Sequence, residues 1–181
     1  MQSIKKKAVF LDRDGVINQL IIRNGKAQAP YSLEEFALYP GVEEACRNLK
    51  DASYLLIVVT NQPDVSRGWT TIESVDLINA RIRELLPIDD IEICFHTDVD
   101  QCHCRKPLPG MLLQAAERWG IDLGQSFMVG DRFGDISAGI KAGCTTFLVG
   151  AGDNQGQHPD PHFKVESLLE GSRIILSKSQ I

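Results

Sequence analysis

The sequence predicts a single α/β domain built on a doubly wound parallel sheet. Three observations predict it. Short apolar runs alternate with segments of helical period along most of the chain, and that alternation implies parallel strands joined by crossover helices on both faces. Several of the apolar runs stop on a polar residue, as strands do at the carboxyl edge of such a sheet, where ligands bind. The 181 residues, 43% hydrophobic and 24% charged, suffice for one core and leave no room for a second large domain.

The elements follow in chain order. Residues 8–11 read as a buried strand that ends at Asp12. Val42, Ala45, Cys46 and Leu49 fall at helical spacing after Pro40-Gly41. The β-branched run 55–59 is a second core strand ending at Thr60. Thr70 or Thr71 caps a helix bearing Ile72, Val75, Ile82, Leu85 and Leu86, which Pro87 stops. Residues 91–94 form a brief strand, and Leu112, Ala115, Ala116 and Trp119 a helical stripe closed by Gly120. A strand over 126–129 runs into Gly130-Asp131, and a helix around Ile136 and Ile140 ends at Gly143. A strand over 145–149, a loop over 151–161 and a last helix over 165–176 complete the pattern. The segments 18–41 and 62–71 are expected to be short loops.

Composition excludes several classes of function. No apolar run is long enough to span a membrane. The apolar stretch after Lys5-Lys6-Lys7 is too short for a secretion signal, so a cytoplasmic protein is expected. A net charge of −5 argues against broad nucleic-acid binding. In a reducing compartment the five cysteines are not expected to form disulfides.

Four motifs carry chemistry. Asp12-Arg13-Asp14-Gly15 places two carboxylates one residue apart directly after a buried strand, with a glycine that lets the chain turn. That arrangement suits a nucleophilic carboxylate beside a general acid. Thr60, at the end of the second core strand, has a hydroxyl to offer a phosphoryl oxygen. Cys104-Arg105-Lys106-Pro107 brings cations, and Gly130-Asp131-Arg132-Phe133-Gly134-Asp135 brings a second pair of acids after an apolar strand. Separately, Cys94, His96, Cys102 and Cys104 stand at C-x-H…C-x-C spacing. Four such ligands suit a tetrahedral, structural Zn²⁺ in a small loop over 94–104, two residues ahead of Lys106.

Taken in order, these motifs resemble the signature set of the haloacid dehalogenase superfamily of phosphohydrolases. The resemblance runs from about Val9 to Val149. It implies a Rossmann-like core and a mechanism in which Asp12 attacks phosphorus and Asp14 serves as acid and then base. It further implies that Thr60 and Lys106 hold the phosphoryl group. A Mg²⁺ ion would lie between Asp12, the Asp14 carbonyl and Asp131, with Asp135 supporting the cluster from behind. No large cap domain fits in the available length.

The cysteine cluster is similar to that of the superfamily's zinc-bearing branch, which holds heptose-bisphosphate and histidinol-phosphate phosphatases. The run from Thr60 through Asn61 and Gln62 to Ser66-Arg67-Gly68 resembles the heptose enzymes more. Pro63-Asp64 and Arg132 depart from their usual residues. The resemblance implies a small phosphorylated sugar as substrate, a heptose 1,7-bisphosphate first. Arg67, Arg105 and Arg132 follow successive core strands whose ends should converge, so they are expected to meet the substrate together with Asn61 and Gln62; a monomer is expected. Histidinol-phosphate hydrolysis, a phosphotransferase and a non-catalytic phosphosugar-binding protein stand as alternatives.

Overall fold

The computed structural model describes residues 5–152 and 159–178. Its centre is a six-stranded sheet made of β1 (Ala8–Leu11), β4 (Leu55–Asn61), β5 (Asp90–Cys94), β6 (Phe127–Gly130), β7 (Thr145–Val149) and β8 (Phe163–Val165). The strand order is β5-β4-β1-β6-β7-β8, and every neighbouring pair is parallel. From β1 the chain runs outward through β4 to β5 and then crosses back to β6 on the other side of β1, so the carboxyl end of β1 is the switch point of the sheet.

Both faces of the sheet are covered, and side-chain alternation along each strand sorts the core in two. Val9, Leu11, Leu56 and Val58 pack with Val42 and Leu49 of α1 (Val42–Asp51), Ile78 and Ile82 of α3 (Ile72–Leu85), and Ile175 of α6 (Leu168–Lys178). On the opposite face, Ala8, Phe10, Ile57 and Val59 pack with Met111, Leu112 and Ala115 of α4 (Gly110–Trp119) and Ala138 of α5 (Phe133–Ala142). Of the two candidate caps for α3, the structure uses Thr71, whose hydroxyl accepts from the Ser74 N–H at 3.1 Å.

Three expectations change. The segment 18–41 is not a plain loop: it holds a hairpin of β2 (Ile21–Arg23) and β3 (Lys26–Gln28) and a 3-10 turn at Leu33–Glu35. The segment after Gln62 likewise contains a one-turn helix, α2 (Pro63–Ser66). The final helix begins at Leu168 rather than at 165, because Phe163–Val165 pairs with β7 as an edge strand. Part of the expected 151–161 loop lies outside the described residues. Among the described residues there is no large cap, and no helix is long and apolar enough to cross a membrane.

Candidate active site

Asp12 is the first residue beyond β1, and its N–H still reaches Val129 O of β6 at 2.9 Å. Three residues on, Gly15 turns the chain at φ +100°, and a Cβ there would lie 2.2 Å from Asp131 Oδ2. Only glycine allows both the turn and that approach. At the end of β6, a Cβ on Gly130 would lie 2.1 Å from Asp135 Cβ. The two glycines therefore let Asp131 and Asp135 close in on Asp12. One carboxylate oxygen from each of Asp12, Asp131 and Asp135 falls within a mutual 4.8 Å.

Lys106 sits inside this cluster, almost wholly buried. Its Nζ lies 2.5 Å from Asp12 Oδ1 and 2.6 Å from Asp135 Oδ1, and donates to Val59 O at 2.7 Å. One ammonium stands among three carboxylates. Burial, with Asp135 and Asp14 adding to it against the pull of Lys106, raises Asp12 to about 6. Burial and the charges of Asp12 and Asp135 push Asp131 up to about 8. Burial alone would lower Lys106, but Asp12 and Asp135 hold it above the ordinary lysine range. Asp131 Oδ1 is buried without a hydrogen-bond partner. A hard, oxygen-seeking cation answers both the repulsion and that orphaned oxygen, so the residues fit Mg²⁺. Asp135 is closer in than expected, touching Lys106 directly and accepting from the Arg132 N–H at 3.0 Å.

The residues that end β4 divide by side. Asn61 clamps the backbone of Lys106, accepting from its N–H at 3.1 Å and donating to its carbonyl at 3.0 Å. Thr60 and Gln62 are 1% and 2% exposed. Gln62, expected at the substrate, instead turns inward and donates to Asp14 Oδ2 at 2.6 Å and Thr60 Oγ1 at 2.9 Å. Asn18 donates to Asp14 Oδ1 at 3.0 Å. Arg13, fully buried, donates from Nε to Asp14 and from Nη1 to Asn79 Oδ1 of α3, both at 3.2 Å.

Above this floor opens a cavity of about 640 Å³ lined by Asp12, Asp14, Asn61, Lys106 and Asp135 and by Arg67, Arg105 and Arg132. The three arginines do converge. Arg67 pairs with Asp64 at 3.0 Å and Arg105 with Asp98 at 2.8 Å, while Arg132 Nε stands 4.0 Å from Asp131. Trp69, half exposed, lines the same mouth with the Arg67 guanidinium 5.2 Å from its ring centroid. Sequence reasoning passed over Trp69, Arg13 and Asn79. A signal existed for Asn79, a polar residue one turn beyond Val75 on the buried face of its helix.

Cys94, His96, Cys102 and Cys104 gather as expected, each with one ligand atom within 4.8 Å of the others. Cys94 Sγ lies 3.5 Å from His96 Nδ1 and 3.8 Å from Cys102 Sγ, and Cys104 Sγ lies 3.3 Å from the same imidazole nitrogen. Burial and the neighbouring thiols push Cys94 up to about 12, a strain that metal-bound thiolates would relieve. The set fits tetrahedral Zn²⁺.

The model of the haloacid dehalogenase-like hydrolases matches residues 19–143. The chain belongs to that family. The matched span carries Thr60, Lys106, Asp131, Asp135 and the cysteine cluster, while Asp12 and Asp14 precede it and stand on the geometry above. Among relatives of this hydrolase, the D-glycero-beta-D-manno-heptose-1,7-bisphosphate 7-phosphatase of Helicobacter pylori is 37% identical over 142 residues, 75% of this chain and 79% of that protein. The D-glycero-alpha-D-manno-heptose-1,7-bisphosphate 7-phosphatase of Campylobacter jejuni is 35% identical over 81% of this chain and 83% of its own. The crystal structure of the D,D-heptose 1,7-bisphosphate phosphatase of B. bronchiseptica, complexed with magnesium and phosphate, superposes with a TM-score of 0.83. It is 32% identical, and the match covers 95% of this chain and 99% of that one.

Proposed function

We propose that this hydrolase removes the C7 phosphate of D-glycero-D-manno-heptose 1,7-bisphosphate and leaves the C1 phosphate in place. The observation that carries the reading is the floor of the cavity, where Asp12, Asp14 and Lys106 face one opening beneath three arginines. The similarity to heptose-bisphosphate phosphatases chooses the sugar. It also favours that substrate over histidinol phosphate.

Asp12 attacks phosphorus through a carboxylate oxygen, and the bond from phosphorus to the C7 oxygen breaks. Asp14 gives that leaving oxygen a proton. Asp14 then takes a proton from the water that attacks the aspartyl-phosphate, which frees Asp12 and releases phosphate. Thr60 donates to a phosphoryl oxygen, and Lys106 sets its positive charge where the transferring group is negative. Such transfer depends on positioning and charge neutralisation more than on covalent chemistry by the protein. Mg²⁺ would be held by Asp12, Asp131 and the Asp14 carbonyl, and when bound it supplies further neutralisation of the phosphoryl charge. Asp135 braces Lys106. Zn²⁺ held by Cys94, His96, Cys102 and Cys104 would fix the loop that delivers Arg105 and Lys106.

Arg67 and Arg105, though each already paired with an acid, keep donors to spare on a five-donor guanidinium and serve the phosphate that does not react. We read the chain as a single domain, working as a monomer in the cytoplasm on a phosphosugar alone. The test is phosphate release against both anomers of the heptose bisphosphate, fructose bisphosphate and histidinol phosphate. The heptose bisphosphate is expected to give the highest kcat/KM, and Arg67→Ala or Arg105→Ala to lower it more for bisphosphates than for monophosphates. A higher kcat/KM for histidinol phosphate would overturn the reading.

A further inference from the structure

We propose that Gln62 is a positioning residue that ties the phosphoryl-gripping hydroxyl of Thr60 to the proton-donating carboxyl of Asp14. The inference rests on the roles given to those two residues above, and it assigns Gln62 a task different from contact with substrate.

The hydrogen-bond directions follow from the chemistry of an amide. Nε2 carries two hydrogens and accepts nothing. One hydrogen goes to Asp14 Oδ2 at 2.6 Å and the other to Thr60 Oγ1 at 2.9 Å. With Asp14 ionised, the form that takes the proton from water, the reverse orientation of the amide would put Oε1 against a carboxylate oxygen at that short distance, acceptor against acceptor. Because Thr60 Oγ1 accepts from Gln62, its single proton is left for another acceptor, and a phosphoryl oxygen is the acceptor its proposed role supplies. Gln62 thereby makes Thr60 a donor. It also sets the plane of the Asp14 carboxyl, which Asn18 and Arg13 hold from other sides.

Gln62 is itself anchored. Its backbone N–H donates to Cys94 O at 2.7 Å, at the end of β5 and at the first residue of the cysteine cluster. With the side chain 2% exposed at residue level, water has little access to replace it. Losing the amide would take from Thr60 Oγ1 its donor and leave Asp14 Oδ2 to Arg13 alone.

The test uses Gln62→Met, which keeps length and loses both donors, in the full chain with Mg²⁺ present. Two substrates are compared: the heptose bisphosphate, whose leaving oxygen needs a proton, and para-nitrophenyl phosphate, whose leaving group does not. The expected loss in kcat is about 10- to 100-fold on the sugar and several-fold less on the aryl ester, with KM changing little. In an Asp14→Asn background the same substitution should cost no more on the sugar than it costs on the aryl ester in the native background, the part carried by Thr60, because residues acting as a unit are not additive. Gln62→Glu, a second variant of the same shape, places an acceptor against Asp14 and should lose at least as much. The proposal is overturned if Gln62→Met keeps kcat within threefold on both substrates, or if its cost is unchanged by Asp14→Asn. If Asp14→Asn itself lowers both substrates equally, the acid role falls and this proposal falls with it. If Asp14→Asn spares the aryl ester while Gln62→Met adds to it in full, the proposal on Gln62 alone is refuted.

Discussion

Replacing Lys106 with Met tests how the acidic cluster is held together. The ammonium contacts Asp12 Oδ1, Asp135 Oδ1 and Val59 O, and the residue is 6% exposed. Met has similar length and no charge, so the space stays filled while two buried carboxylates lose the cation they share. Removing one partner from a buried pair costs about 3–5 kcal/mol, since the remaining charge is left uncompensated. For a chain of this size each kcal/mol lowers Tm by about 2–4 °C, which puts the loss at roughly 6–20 °C. The cost should depend on pH. Lys106 is charged across the working range, so any change between pH 5 and 7 comes from the carboxylates. With the lysine gone, Asp12, already held up to about 6, can escape by protonation, which is far easier at pH 5 than at pH 7. Calorimetry with a chelator present should therefore show a large drop in Tm at pH 7 and a clearly smaller one at pH 5. Turnover with Mg²⁺ should fall by about 10²- to 10³-fold, the scale of losing one preorganised charge contact to the reacting group. A Tm within 2 °C of wild type at pH 7, or equal losses at the two pH values, would refute the reasoning.

Asp12→Asn should abolish turnover yet leave the chelated protein at least as stable as wild type, because one of three clustered negative charges disappears; a drop in Tm would contradict this. Protein purified without chelators should carry about one zinc per chain by elemental analysis, and Cys102→Ser should lose it together with several degrees of Tm. Mg²⁺ affinity should rise from pH 6 to pH 8. Asp12 and Asp131, held up to about 6 and about 8, must shed protons for the cation, and calorimetric titration in buffers of different ionisation enthalpy should register their release. The same two groups hold protons that the unfolded chain has lost above about pH 4, so their share of stability without metal should fall as pH rises from 4 to 8. Gly130→Ala drives a methyl into Asp135, 2.1 Å from its Cβ; overpacking of this kind costs about 1–3 kcal/mol, and kcat should fall with it as Asp135 leaves Lys106.

The sheet and the acids that end its strands were legible because a buried parallel strand is a short apolar run and its first polar residue marks the edge. The hairpin was not. Ile21–Arg23 and Lys26–Gln28 are three residues each, largely exposed, and too short for any period to declare itself. Phe163–Val165 failed for the same reason, and its pairing with β7 is a long-range fact. Trp69 was passed over because an exposed aromatic in a loop has no pattern around it. Only the α2 turn, with Trp69 N–H bonded to Asp64 O at 2.9 Å, carries it to the mouth of the site.

What separates residues that face the substrate from those that face inward is parity along the strand, continued past its end. In β1, Ala8 and Phe10 point to the α4–α5 face and Val9 and Leu11 to the α1–α3–α6 face. Carried two residues further, Asp12 follows Phe10 and meets Lys106, which lies just ahead of α4, while Arg13 follows Leu11 and meets Asn79 on α3. In β4, Ile57 and Val59 share the α4 side with Asn61, and Asn61 closes on the Lys106 backbone. Leu56 and Val58 share the other side with Thr60 and Gln62, and Gln62 reaches Asp14 there. The same rule explains the error at Gln62. The sequence reading expects Asn61 and Gln62 together at the substrate, yet alternation puts Asn61 on one side of the sheet and Gln62 on the other, where it meets Asp14. A strand-end motif of this kind therefore encodes two layers at once. One parity supplies Asp12 and Asn61, which close on Lys106, and the other supplies the Thr60 hydroxyl together with the buried polar side chains that hold the acid in place.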